Sequence, residues 1–175
     1  MNNFSPVGPT LLALFLLPLA LGAADLRPAI KLEAARCAAA WQREDYNGIL
    51  TYQPPRIIQL AGGRAALVHD LKEQFASARA YGAESLEAIP GAPSSPRQIG
   101  RWLTSLLPVK AVLHGPHLDL TQETHVLALS ADQGKHWYFV LLHEVTPAEL
   151  KVWFPEFAGQ FVLPTDPAPQ LEAVF

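Results

Sequence analysis

The sequence predicts an α+β domain, in which helices pack against a curved, mostly antiparallel sheet and a short C-terminal helix follows. Three observations predict it. Residues 28–81 carry apolar side chains at three-to-four spacing. Residues 83–143 change to short alternating or continuous apolar runs bounded by Gly and Pro. Thr146-Pro147-Ala148-Glu149 then has the layout of a helix start, with a Thr cap, Pro at the first position and Glu three residues past the cap.

Pro28 suits a first helical turn, and residues 29–43 continue without Gly or Pro. Ile30, Ala34, Cys37, Ala38 and Trp41 share one face of that helix. Asp45 and Asn47 interrupt it, and Ile49, Leu50 and Tyr52 form a short amphipathic turn stopped by Pro54-Pro55. Ile57, Ile58 and Leu60 fit either a helix end or a short extended piece. Gly62-Gly63 opens a third helix over residues 64–81, with Leu67, Leu71, Phe75 and Ala78 as its apolar stripe and Gly82 as its stop. His69 and Glu73, four apart on that helix, read as a solvated pair.

Strand patterning begins at residues 85–89, and a turn-rich loop spans 92–96. Trp102–His114 reads as a strand that Pro108 keeps from a central ladder position. Leu118–Ser130 and residues 136–143 form a hairpin around the connector 131–135. Residues 148–153 are the short C-terminal helix. The last stretch, 162–175, has three prolines and little periodicity, so it either lies extended on the body or is disordered.

The chain has 175 residues, half of them apolar, a single-domain length with enough material for one core. The organisation it suggests is a signal peptide at 1–24, an α+β domain at 25–158 and a Pro-rich tail at 159–175. Residues 11–21 are a short apolar run followed by Gly22-Ala23-Ala24, and every Asp, Glu, Lys and Arg comes later. That pattern is a secretory signal, with cleavage after Ala24 and an exported, periplasmic or secreted product. The first ten residues carry no Lys or Arg, so an uncleaved N-terminal anchor is the rival reading. After removal of the signal no membrane partner is expected. The net charge is −3 with basic residues scattered, which argues against a nucleic-acid surface. Cys37 is the only cysteine, so no intramolecular disulfide forms, and among alanines it reads as a buried inert thiol. The sequence points to no cofactor.

At Ala39-x-Trp41-Gln42-Arg43-Glu44-Asp45-Tyr46-Asn47-Gly48-Ile49-Leu50 the chain resembles the helix junction of the cystatin-like cone fold. Nuclear transport factor 2, the ketosteroid isomerases and the SnoaL-like cyclases share that fold. The resemblance implies a long first helix broken at this point, two further helices, and a sheet that wraps them into a cone. Gly134-Lys135-His136-Trp137-Tyr138-Phe139-Val140, followed by Thr146-Pro147-Ala148-Glu149-Leu150-Lys151-x-x-Phe154-Pro155, also resembles secreted bacterial proteins of this fold with no assigned activity. It implies that Trp137 and Phe139 face the helices and that Phe154 and Phe157 seal the open end of the cone. Ser130-Ala131-Asp132-Gln133-Gly134-Lys135-His136-Trp137 resembles the Asp-box hairpin of sialidases. It has His136 in place of Thr and only one copy, so Asp132 reads as a turn-capping residue.

Ketosteroid isomerases use an Asp base with Tyr and protonated-acid donors. Aligned on Asn47-Gly48, the base falls near Ala61 and the Tyr donor near Cys37, and neither does that chemistry. The remaining acid/base candidates are His125 and His143, with Tyr46 and Tyr52 and with Glu144 nearby. Alternation does not say whether the two histidines face inward, because Val126 and Leu142 are as apolar as Leu127 and Leu141. His114 and His117 offer two imidazoles on one turn, a weak metal candidate with no acidic or thiol ligand at a defined spacing. Trp41, Tyr46, Tyr52, Phe75, Trp137 and Phe139 are the candidate pocket residues. Two functions follow. The favoured one is a non-catalytic exported domain binding a small apolar ligand or an envelope protein, with a homodimer through the sheet as a further option. The alternative is a small lyase, isomerase or hydrolase with its site in the cone.

Overall fold

The computed structural model describes residues 25–143 and 145–173. The expected signal segment and Glu144 lie outside them. Helix α1 (Arg27–Gln42) leads into α2 (Tyr46–Thr51), α3 (Pro55–Leu60) and α4 (Arg64–Ala80). The break between α1 and α2 has a local cause. The Asp45 carboxylate accepts the Gly48 backbone N–H at 3.0 Å and caps α2. A Cβ on residue 48 would sit 2.4 Å from that carboxylate, so the Asp-x-x-Gly spacing requires glycine here. Of the two readings of Ile57–Leu60, helix is the one formed, started by Pro55 at its first turn.

The sheet is strongly curled and antiparallel, so the fold is α+β as the sequence predicts. Its strands are β1 (Ser85–Pro90), β2 (Arg97–Ile99), β3 (Trp102–His114), β4 (Leu118–Ser130), β5 (Tyr138–Leu141) and β6 (Gln170–Ala173). The order β1-β3-β4-β5 forms the main path, with β2 also on β3 and β6 also on β4. Helix α5 (Pro147–Trp153) carries the full capping box, with Thr146 and Glu149 each bonding the other's backbone N–H.

Three expectations are corrected. Strand β3 is central, because β1 and β2 lie on one side of it and β4 on the other. Pro108 is tolerated because it falls between the two neighbours: pairing with β1 ends at Val109 and pairing with β2 begins at Thr104. In that gap the Pro108 carbonyl accepts from Gly91 at 2.8 Å and Leu106 exchanges bonds with Ser94. The strand expected at 136–143 is shorter, since Lys135 and His136 donate their backbone N–H groups to the Asp132 carboxylate and stay in the turn. Phe154 and Phe157 do not close a cone on the α1 side. They stack at 5.2 Å and pack with Trp102, Leu127, Leu129 and Val140 on the opposite face of the sheet. The tail takes the first of its two expected forms: it runs extended and ends as β6 beside Leu118–Thr121 of β4.

Register divides the sheet residues cleanly. Leu127 faces the same way as its partners Leu106 and Val140, and packs under α5. Ala128, Leu107, Trp137 and Phe139 instead pack against Ile30, Ala34 and Cys37 of α1. The Phe139 N–H donates to the Tyr52 carbonyl at 2.8 Å, which ties the end of α2 to β5 and fixes the height of the helices above the sheet. No helix among the described residues is long and apolar enough to cross a membrane.

Candidate functional site

A cavity of about 240 Å³ lies between α1 and the sheet. Its floor is the alternating row Leu107, Val109 and Ala111 of β3, joined by Ala88 of β1 and Val126 of β4. Its roof is Ala34, Cys37, Ala38 and Trp41 of α1, and Phe139 closes one side. The volume comes from short side chains facing one another. Alanines at 34, 38, 88 and 111 meet across the gap where larger residues would fill it. The polar part of the lining is Gln53, Gln122, Thr124 and His143. An apolar chamber with a few polar groups at one part of the wall is the usual form of a small-molecule site.

At that polar part the tail contributes a residue that sequence reasoning passed over. Asp166 lies opposite the gap in the β4 edge between β5, which pairs with Val126–Leu129, and β6, which pairs with Leu118–Thr121. Its carboxylate accepts the Thr124 hydroxyl at 2.6 Å and the His125 ring Nδ1 at 2.9 Å. The His143 Nδ1 is 3.8 Å from the same carboxylate, an ion-pair distance too long for a hydrogen bond. Thr124 lines the cavity while its neighbour His125 points to the other face, so Asp166 joins side chains from both faces at one seam. The only signal for it in the sequence is an Asp held between Pro164 and Pro167, in a stretch without periodicity.

The structure brings together some of the expected residues and separates others. Trp41, Phe139 and His143 line the cavity. Trp137 is buried in the same cluster without reaching the lining. Phe75 lines a neighbouring cavity of about 210 Å³ on the far side of Trp41 and packs on that indole at 5.8 Å. The Tyr46 hydroxyl donates to Glu44 at 3.1 Å and its ring meets Phe75 edge-on. The Tyr52 hydroxyl donates to Glu33 at 3.1 Å, and burial followed by that carboxylate pushes its pKa up. Both hydroxyls are therefore committed elsewhere. His114 is bonded to Asp119 at 2.9 Å and faces Glu87, whereas His117 sits in an exposed bend. No group of three or more metal-ligating side chains forms among the described residues. Ala61 ends α3. Cys37 lines the cavity, and burial pushes its thiol up to about 12, so it stays a neutral, unreactive apolar group at physiological pH.

No protein-family model matches the chain, and no curated protein or solved structure matches it either.

Proposed function

We propose that this protein is an exported, non-catalytic domain of the cystatin-like cone type that binds a small apolar ligand. The observation that carries the reading is the cavity of about 240 Å³ under α1, apolar in its floor and roof and polar only toward Gln53, Gln122, Thr124 and His143. That size lies just below the range of about 300–1,000 Å³ for drug-sized ligands, which points to a single ring system or a short chain. The cone type is supported by the α1–α2 break at Asp45-Tyr46-Asn47-Gly48 and by the curl of the sheet around α1. Export is supported by the apolar run and small residues that precede Asp25. The cavity favours a small ligand over an envelope protein as the bound species. Titration with the apolar fluorophore N-phenyl-1-naphthylamine tests it. Saturable enhancement at one site is expected for the native protein, with loss of the signal in Ala111→Phe; a native protein that gives no saturable signal sinks the proposal.

The second reading, a small lyase, isomerase or hydrolase, draws on one observation: His143 is on the cavity wall with Asp166 beside it. Hydrolysis of a short-chain p-nitrophenyl ester above the buffer rate, abolished by His143→Gln, would move the assignment to this reading.

A further inference from the structure

Among the described residues the two cavities share two lining side chains, Trp41 and Leu86. Beneath them the floor is continuous. Leu107, Val109 and Ala111 of β3 floor the first chamber, and Leu113, next on the same face, floors the second. Seven residues of strand from 107 to 113 span about 20 Å. The partition is a side chain, the Trp41 indole leaning on Phe75 at a 40° tilt, and side chains change rotamer where backbone does not move. Behind that indole lie about 210 Å³ bordered by Phe75, Ala78 and Ala83.

We propose that the ligand is a linear alkyl chain with an uncharged polar head, lying in one trough through both chambers with Trp41 turned aside. This rests on the apolar-pocket reading above and adds the ligand's shape and head group. The uncharged head follows from the charges along the trough. Arg79, the one guanidinium on either lining among the described residues, is already bound to Glu44, with its Nη2 at 3.1 Å from Glu44 Oε2. Glu84 lines the same chamber. At the other end the Asp166 carboxylate stands behind Thr124. A carboxylate head would thus be desolvated beside acids, with Arg79 held by Glu44 and the His143 imidazole already facing the Asp166 carboxylate at 3.8 Å. A hydroxyl can instead donate to the Gln53 amide, to Gln122 Oε1 or to Thr124 Oγ1, whose own donors are given to the Glu123 and Pro167 carbonyls and to Asp166.

The test is displacement of N-phenyl-1-naphthylamine from the full chain by alkan-1-ols, from hexan-1-ol to tetradecan-1-ol. A methylene takes up about 30 Å³, close to the share of a liquid water, so about eight carbons fill the first chamber. With one trough, affinity keeps rising about fourfold per methylene from octan-1-ol to dodecan-1-ol. A plateau at octan-1-ol overturns the shared trough and leaves the pocket reading intact. Failure of every alkanol to displace the probe overturns the pocket reading itself. Ala78→Phe fills the second chamber; it should cost dodecan-1-ol about two orders of magnitude and leave octan-1-ol unchanged. Ala83→Leu, outside α4, gives an independent version of that result. Dodecan-1-ol binding untouched in both variants contradicts the trough. Dodecanoate at pH 8 should bind about tenfold more weakly than dodecan-1-ol; equal or tighter binding overturns the uncharged head.

Discussion

The two faces of the sheet are built from the same strands, one residue out of step, and they have been filled differently. Under α5 the inward positions are large. Leu127, Leu129, Trp102, Phe154 and Phe157 are all 5% exposed or less, with Trp102 edge-on to Phe154 at 5.6 Å. Under α1 the facing positions include Ala34, Ala38, Ala88 and Ala111, and about 240 Å³ stays open. Interiors pack close to crystalline density when nothing opposes it. The α5 face is filled by large, enclosed side chains, so the open space on the α1 face follows from the short residues that stand there.

The largest test of the contrast is a pair of matched truncations. Phe154→Ala should cost about 3–5 kcal/mol in denaturant unfolding, because its ring is enclosed on all sides. Phe139→Ala should cost less, about 2–3 kcal/mol, because one side of its ring already borders the cavity. Equal losses would mean that the two faces are packed alike.

Next in size is the seam where the faces meet. Asp166→Ala removes the acceptor for Thr124 and His125 and frees the strand that ends in β6. A loss of about 2 kcal/mol is expected, along with faster amide exchange at Asp119 and Thr121, the β4 residues whose backbone groups face β6. Unchanged exchange there would show that the tail holds without its carboxylate.

Asp132 comes third. Its carboxyl is held well below the usual carboxylate range, first by the His136 backbone N–H and then by the His136 ring, with Ser130 adding a further bond. A depressed carboxylate contributes stability above its unfolded value of about 3.9, and the contribution is lost as pH falls below that value toward the folded one. Asp132→Ala should therefore cost about 1 kcal/mol near neutral pH, and its Tm deficit relative to the native protein should shrink in acid. A deficit that stays constant through the acid range contradicts this account of the turn.

Elements with a local cause were legible in the sequence. Strands Trp102–His114 and Leu118–Ser130 run between the same residues in both readings, and the break at Asp45 and the cap at Thr146 each depend on a neighbour three residues away. What escaped depends on long-range pairing. Because both faces of β4 and β5 carry apolar side chains, Val126 and Leu127 look alike, as do Leu141 and Leu142, and the orientation of His125 and His143 had no alternation to reveal it. Pro108 looked like an edge marker because the switch of neighbour from β1 to β2 is invisible along the chain. Asp166 and β6 were hidden for the same reason, since their partners lie about forty to fifty-five residues earlier. The cavity itself was anticipated only in outline. In the sequence Ala34 and Ala38 only mark one apolar face of α1; against Ala88 and Ala111 they leave a gap.

The smallest expected change in stability accompanies the largest change in the cavity. Ala111→Phe should alter unfolding by about 1 kcal/mol or less, since the new ring enters existing space. The measurement that bears most directly on the contrast is xenon binding to the native protein and to Ala111→Phe, followed by methyl chemical shifts. Dry apolar cavities take up xenon and filled cores do not. Perturbation centred on Ala38, Ala111 and Val126 is expected, abolished in Ala111→Phe and absent at Leu127, Leu129 and Leu150. No perturbation on the α1 face, or an equal one under α5, would contradict the division of this sheet into an open face and a solid one.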